Sequence, residues 1–69
     1  MHSEILRSLR EEAGLTQEEL AVRIKVAVST LRRWETQGME PSMTVLQIRE
    51  FCKAVGKSFD DLPDYLSQR

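Results

Sequence analysis

Residues 14–35 read GLTQEELAVRIKVAVSTLRRWE. Two helical patterns lie almost end to end in this stretch. Thr16 and Glu19 make a capping box, TQEE, which opens a helix whose apolar face is Leu20, Ala21 and Ile24. After a turn at Lys25 and Val26, the residues Val28, Leu31 and Trp34 recur three apart. The spacing predicts one helix over about 17–24 and a second over about 28–35. Two short helices joined by so brief a turn pack only if the facing side chains are apolar and one is small where the backbones approach. Leu20, Ile24, Val26, Leu31 and Trp34 supply the apolar positions, and Ala21 supplies the small one.

Working outward, Ile5, Leu6, Leu9 and Ala13 stand at helical spacing after Ser3, a candidate cap, and Gly14 is placed to end that helix. Downstream, TQGMEPS holds Gly38 and Pro41 among polar residues, which is loop chemistry. Thr44 and Gln47 form a second capping box, TVLQ, leading into Ile48, Phe51, Cys52 and Val55 at the spacing i, i+3, i+4, i+7. Gly56 is a stop signal, and Ser58 can cap a last helical turn, FDDL. Pro63 breaks that turn, so PDYLSQR reads as a new turn or a loosely held tail over 63–69. No segment shows the strict alternation of a strand. The expectation is an all-α compact bundle of about five short helices forming a single domain over 1–69. Its predicted core is Leu6, Leu9, Leu20, Ala21, Ile24, Val26, Leu31, Trp34, Ile48, Phe51, Cys52, Val55, Phe59 and Leu62.

Composition narrows the function classes. The chain has 69 residues, 41% apolar and 30% charged, which suits one small folded domain and not a disordered tail. The single cysteine, Cys52, rules out an internal disulfide framework. No apolar run has the length of a signal peptide or a membrane span, so no membrane association and a cytoplasmic location are expected. His2 is the only histidine, and with one cysteine it makes neither a catalytic triad nor a zinc site. The pairs Asp60–Asp61 and Glu11–Glu12 read as solvated charge. No enzyme activity, cofactor or metal is expected. The net charge of −1 hides an uneven distribution. Residues 1–20 carry −3, whereas residues 21–38 carry +3 from Arg23, Lys25, Arg32 and Arg33 against Glu35. Any anion-binding face therefore draws on the middle of the chain.

The phrase LREEAGLTQEELA followed by VSTLRRWE resembles the helix-turn-helix of the lambda repressor and Cro (Xre) family, and the resemblance covers roughly Leu6 to Leu62. It implies a small bacterial, phage or plasmid transcriptional regulator, a repressor by preference, that binds double-stranded DNA in a sequence-specific way. In the family the second of the two helices enters the major groove and the first crosses the backbone. By that resemblance Val28, Ser29 and Arg33 face bases, with Arg32 near them, and Gln17 offers its backbone N–H to a phosphate. Arg10 and Glu35 resemble the family's structural ion pair, and Arg10 is a second candidate for a phosphate. The blander readings are that Arg32 and Arg33 are solvated helix surface, that Val28 is core and that Trp34 is a core anchor.

The chain departs from the family in three places. Lys25 stands where a glycine is usual, at a residue that tends to positive φ, and Ala27 stands where a serine or threonine cap is frequent; each change costs about 1 kcal/mol. Gln37, Met39 and Glu40 occupy a loop that in relatives often carries basic residues, which weakens contact with phosphate. DNA binding is therefore expected to need a homodimer, with Phe59, Leu62, Tyr65 and Leu66 either supplying the contact or capping the chain's own core. The alternative is a protein-interaction module of the same fold, such as an antitoxin or adaptor with a protein partner.

Overall fold

A computed structural model of the chain describes residues 4–67, and over them it contains helices and no strand. α1 is Glu4–Glu12, α2 Gln17–Ile24, α3 Val28–Gln37 and α4 Val45–Val55, and a single 3₁₀ turn follows at Phe59–Asp61. Ser3 and His2 lie outside the described residues.

Both capping boxes are formed. Thr16 Oγ1 accepts from Glu19 N at 3.1 Å while Thr16 N donates to Glu19 Oε1 at 2.8 Å, and Thr44 and Gln47 repeat the exchange at 3.1 and 2.8 Å. Each α-helix is followed by a residue in the left-handed conformation. Three of these are the glycines Gly14, Gly38 and Gly56; the fourth is Lys25, with φ 61° and ψ 44°. Around Lys25 the helix end is closed by Val26 N donating to Ala21 O at 3.0 Å and Lys25 N to Val22 O at 3.3 Å. That geometry is the glycine-type helix stop, kept here with a side chain that the left-handed region disfavours.

The expected fifth helix is not one. Between Gly56 and Pro63 the chain makes only a 3₁₀ turn, with Asp61 N donating to Ser58 O at 3.0 Å and Leu62 N to Phe59 O at 3.1 Å. Ser58 does not cap it: its Oγ donates to Asp61 Oδ2 at 2.9 Å. Pro63, having no N–H, cannot extend the ladder. The bundle is therefore four α-helices and one turn over the described residues.

Leu6, Leu9, Leu20, Ala21, Ile24, Leu31, Trp34, Phe51 and Val55 are buried as predicted, and Val26, Ile48, Cys52 and Leu62 are half-buried. Phe59 departs from prediction: it is 66% exposed, because one 3₁₀ turn offers no continuous apolar stripe to lay on the core. Leu66 takes the place in its stead, only 7% exposed. The segment after Pro63 is neither a helical turn nor loose over the described residues. Its return is fixed by the Glu40 carboxylate, which accepts from Leu66 N at 3.0 and 3.2 Å and from Ser67 N at 3.0 Å.

The helices are further held by a buried ion pair. Arg10 of α1, 8% exposed, donates from Nε to Glu35 Oε2 at 2.8 Å and from Nη2 to Glu35 Oε1 at 3.1 Å, while Glu35 of α3 is 4% exposed. Its third nitrogen, Nη1, donates to Leu15 O at 2.8 Å in the turn before α2. Hydrogen bonding to Glu35 raises the Arg10 pKa above its ordinary value, against the opposing effect of burial.

Three variants test these features in urea unfolding. Lys25→Gly should stabilise the fold by about 1 kcal/mol, because the left-handed residue then carries no Cβ penalty. Glu35→Ala should cost about 3–5 kcal/mol, since it strands a buried guanidinium, while Arg10→Met combined with Glu35→Leu should recover most of that loss.

Candidate nucleic-acid interface

α2, its three-residue turn and α3 form one unit. The turn is held from the outside by Gln47 of α4, whose Nε2 donates to Lys25 O at 3.4 Å. Ala27 precedes α3 in an extended conformation, φ −67° and ψ 143°, and makes no side-chain cap. The first amide hydrogens of α3 therefore lack the partner that a serine or threonine would have provided.

α3 divides cleanly into two faces. Leu31, Trp34 and Glu35 point inward and are buried, which makes Trp34 a core residue. Ser29, Arg32, Arg33 and Thr36 are exposed. Val28 is half-buried and packs against the core at the start of the helix. Arg33 and Ser29 lie one turn apart, and neither side chain makes a hydrogen bond or ion pair with any described residue.

Arg32 is placed differently. Its Nε donates to Gln17 Oε1 at 3.2 Å, and its Nη2 lies 3.4 Å from Glu18 Oε2, so its head group lies along the seam between α3 and the start of α2. Gln17 completes the link, donating from Nε2 to Glu35 Oε1 at 3.1 Å. The result is a continuous polar chain, Arg32–Gln17–Glu35–Arg10, that ties the exposed face of α3 to the buried ion pair. Gln17 is the first residue of α2, and its own N–H and that of Glu18 have no acceptor within the helix. Arg10, by contrast, has Nε, Nη1 and Nη2 all committed to Glu35 and Leu15 at 8% exposure, so the structure brings it to the ion pair and not to the surface.

Neither the Gln17 bridge nor the bonds of Arg32 and Gln47 had a signal in the sequence, because the partners lie 14 to 22 residues apart with no shared periodic pattern. Gln37, the last residue of α3, and Met39 in the loop beyond it face solvent, and the carboxylate of Glu40 is turned to the backbone of Leu66 and Ser67. Cys52 is half-buried on α4, and burial pushes its thiol pKa up. Among the described residues no group of three or more His, Cys, Asp or Glu is placed to hold a metal ion, and no helix is long and apolar enough to cross a membrane.

A family model described as helix-turn-helix matches residues 6–62, which spans all four helices but for the first two residues of α1. No curated protein and no solved structure matches the chain. The match covers most of the sequence and includes the α2–turn–α3 unit, the ion pair beneath it and the helices that brace it: the chain belongs to the helix-turn-helix family of the Xre and lambda-repressor type, a family of DNA-binding regulators.

Proposed function

We propose that the protein is a sequence-specific double-stranded-DNA-binding transcriptional regulator of bacterial, phage or plasmid type, acting as a repressor in the cytoplasm. α3 lies in the major groove and α2 across the backbone. The observation that carries this reading is the outer face of α3, where Ser29 and Arg33 stand exposed one turn apart with no partner among the described residues. Arg33 can donate two bonds to guanine O6 and N7, Ser29 can serve several bases, and the exposed part of Val28 can meet a thymine methyl. Gln17 presents the positive end of α2 to a phosphate. Arg32 sits between these roles: its contacts with Gln17 and Glu18 are exposed and can be exchanged for DNA oxygens, whereas Arg10 holds the helices from behind.

Two copies are needed. One recognition helix reads a few base pairs, and few basic residues support it, so a homodimer that sets two such helices roughly 34 Å apart gains both reach and affinity. The competing reading, an antitoxin-like or adaptor module that binds a protein, draws support from the loop after α3. There Glu40 serves the fold where a basic residue would serve phosphate.

Selection of bound duplexes from a random pool, followed by gel shifts at several salt concentrations, separates the two. An interaction module enriches no sequence and gives no shift. For the DNA reader, Arg33→Ala should cost about 1–3 kcal/mol on the selected site and relax preference at one base pair. Gln17→Pro, which removes the amide donor at the tolerated first position of a helix together with the side-chain link from Arg32 to Glu35, should instead weaken binding about equally on every duplex. Equal loss on all sequences for Arg33→Ala would show that it contacts phosphate.

A further inference from the structure

The apolar stripe of α4 is wider than the core uses. Val45, Ile48 and Cys52 recur at i, i+3 and i+7, and with Phe59 of the 3₁₀ turn they form a groove of about 510 Å³. Val45 and Phe59 are exposed, whereas Ile48 and Cys52 are half-buried. Among the described residues two charged side chains line this groove, and both are cations: Arg49 and Lys53, one turn apart on α4. Lys53 Nζ lies 3.5 Å from Glu50 Oε2 in a partly exposed pair, and Arg49 makes no side-chain hydrogen bond or ion pair with any described residue. The carboxylates nearby are sorted away from it. Ile48 and Phe59 also line a second cavity, of about 370 Å³, and it is this one that Glu40, Asp60 and Asp64 border.

We infer that the groove on α4 is a binding site for a small anionic amphiphile, a carboxylate carried on a medium-length apolar body. Size decides between a small molecule and a protein. A stable protein interface draws on about 20–30 residues a side, and six line this groove, whereas its volume falls in the range of roughly 300–1,000 Å³ that small-molecule sites occupy. Length agrees: at about 1.5 Å per residue the stripe from Val45 to Cys52 extends roughly 10 Å, the reach of a medium alkyl chain. Charge then sets the head group. The Arg49 fork matches the two oxygens of a carboxylate, and Lys53 adds a second positive charge within a turn. An ammonium on the same body would meet two like charges. No lining residue belongs to α2 or α3, so the site stands whether or not the chain binds DNA.

Cys52, the chain's only cysteine, lines this groove and not its neighbour, so its alkylation by iodoacetamide reports occupancy of this site alone. Octanoate, octylammonium and acetate serve as probes on the whole chain. Octanoate should slow the alkylation saturably and raise the melting temperature, as a ligand of the folded state does, while acetate and octylammonium at the same concentrations leave Cys52 reactive. Arg49→Gln should weaken octanoate about fivefold, the upper scale for an exposed ion pair, and Phe59→Ala roughly tenfold through lost apolar contact. Both side chains are exposed, so circular-dichroism melting of the unliganded variants should match that of the parent chain. Arg49→Glu combined with Lys53→Glu should exchange the preference, with octylammonium now protecting Cys52. The proposal is overturned if octanoate leaves the alkylation rate unchanged, lowers the melting temperature, or protects Cys52 no better than octylammonium does, or if the double reversal does not exchange the two. Alkylation that slows as protein concentration rises, with no probe present, would show a second copy covering the groove and would equally overturn it.

Discussion

Everything outward of the core depends on how one carboxylate is shared. Glu35 takes two bonds from Arg10 and one from Gln17, and in doing so joins the first, second and third helices at a single point. A buried pair of this kind adds little net stability compared with well-packed apolar groups, but it tolerates few geometries. The angle between α2 and α3 is thereby set by hydrogen-bond directions as well as by the closeness that Ala21 permits. Burial of the pair also commits every nitrogen of the Arg10 guanidinium to Glu35 or Leu15 inside the fold.

The polar chain that continues from Glu35 through Gln17 to Arg32 gives the exposed face a graded character. At its inner end the bonds are dry and short; at its outer end they are exposed and longer, and they compete with water. Arg33 lies beyond the chain altogether. A helix face so arranged fixes one arginine through its neighbours and leaves the next without a side-chain partner among the described residues.

Local signals make the helices legible. Both capping boxes, the glycine stops and the apolar periods are properties of neighbouring residues, so α2 and α4 begin and end where those residues direct. Even the awkward position is visible: Lys25 adopts the positive φ that a glycine would, because the turn is fixed by the packing on either side of it. Illegible are the places decided at a distance. Phe59 reads as core on its apolar character, yet a single 3₁₀ turn cannot deliver it there. Leu66 reads as a tail residue, yet Glu40, 26 positions earlier, holds its amide and returns it to the interior. The ion pair's partners are recognisable through resemblance, but the bridging role of Gln17 arises only once three helices meet.

The burial of Leu66 has a bearing on how the protein is made. Its seat in the core is formed by residues synthesised long before it, and the Glu40 carboxylate waits equally long for the amides of Leu66 and Ser67. A nascent chain halted before this point carries the α2–turn–α3 unit but keeps part of its apolar interior open to water. Contacts that close the core are thus late to form during synthesis, and a ribosome-bound fragment that stops short of them leaves empty the seat that Leu66 fills.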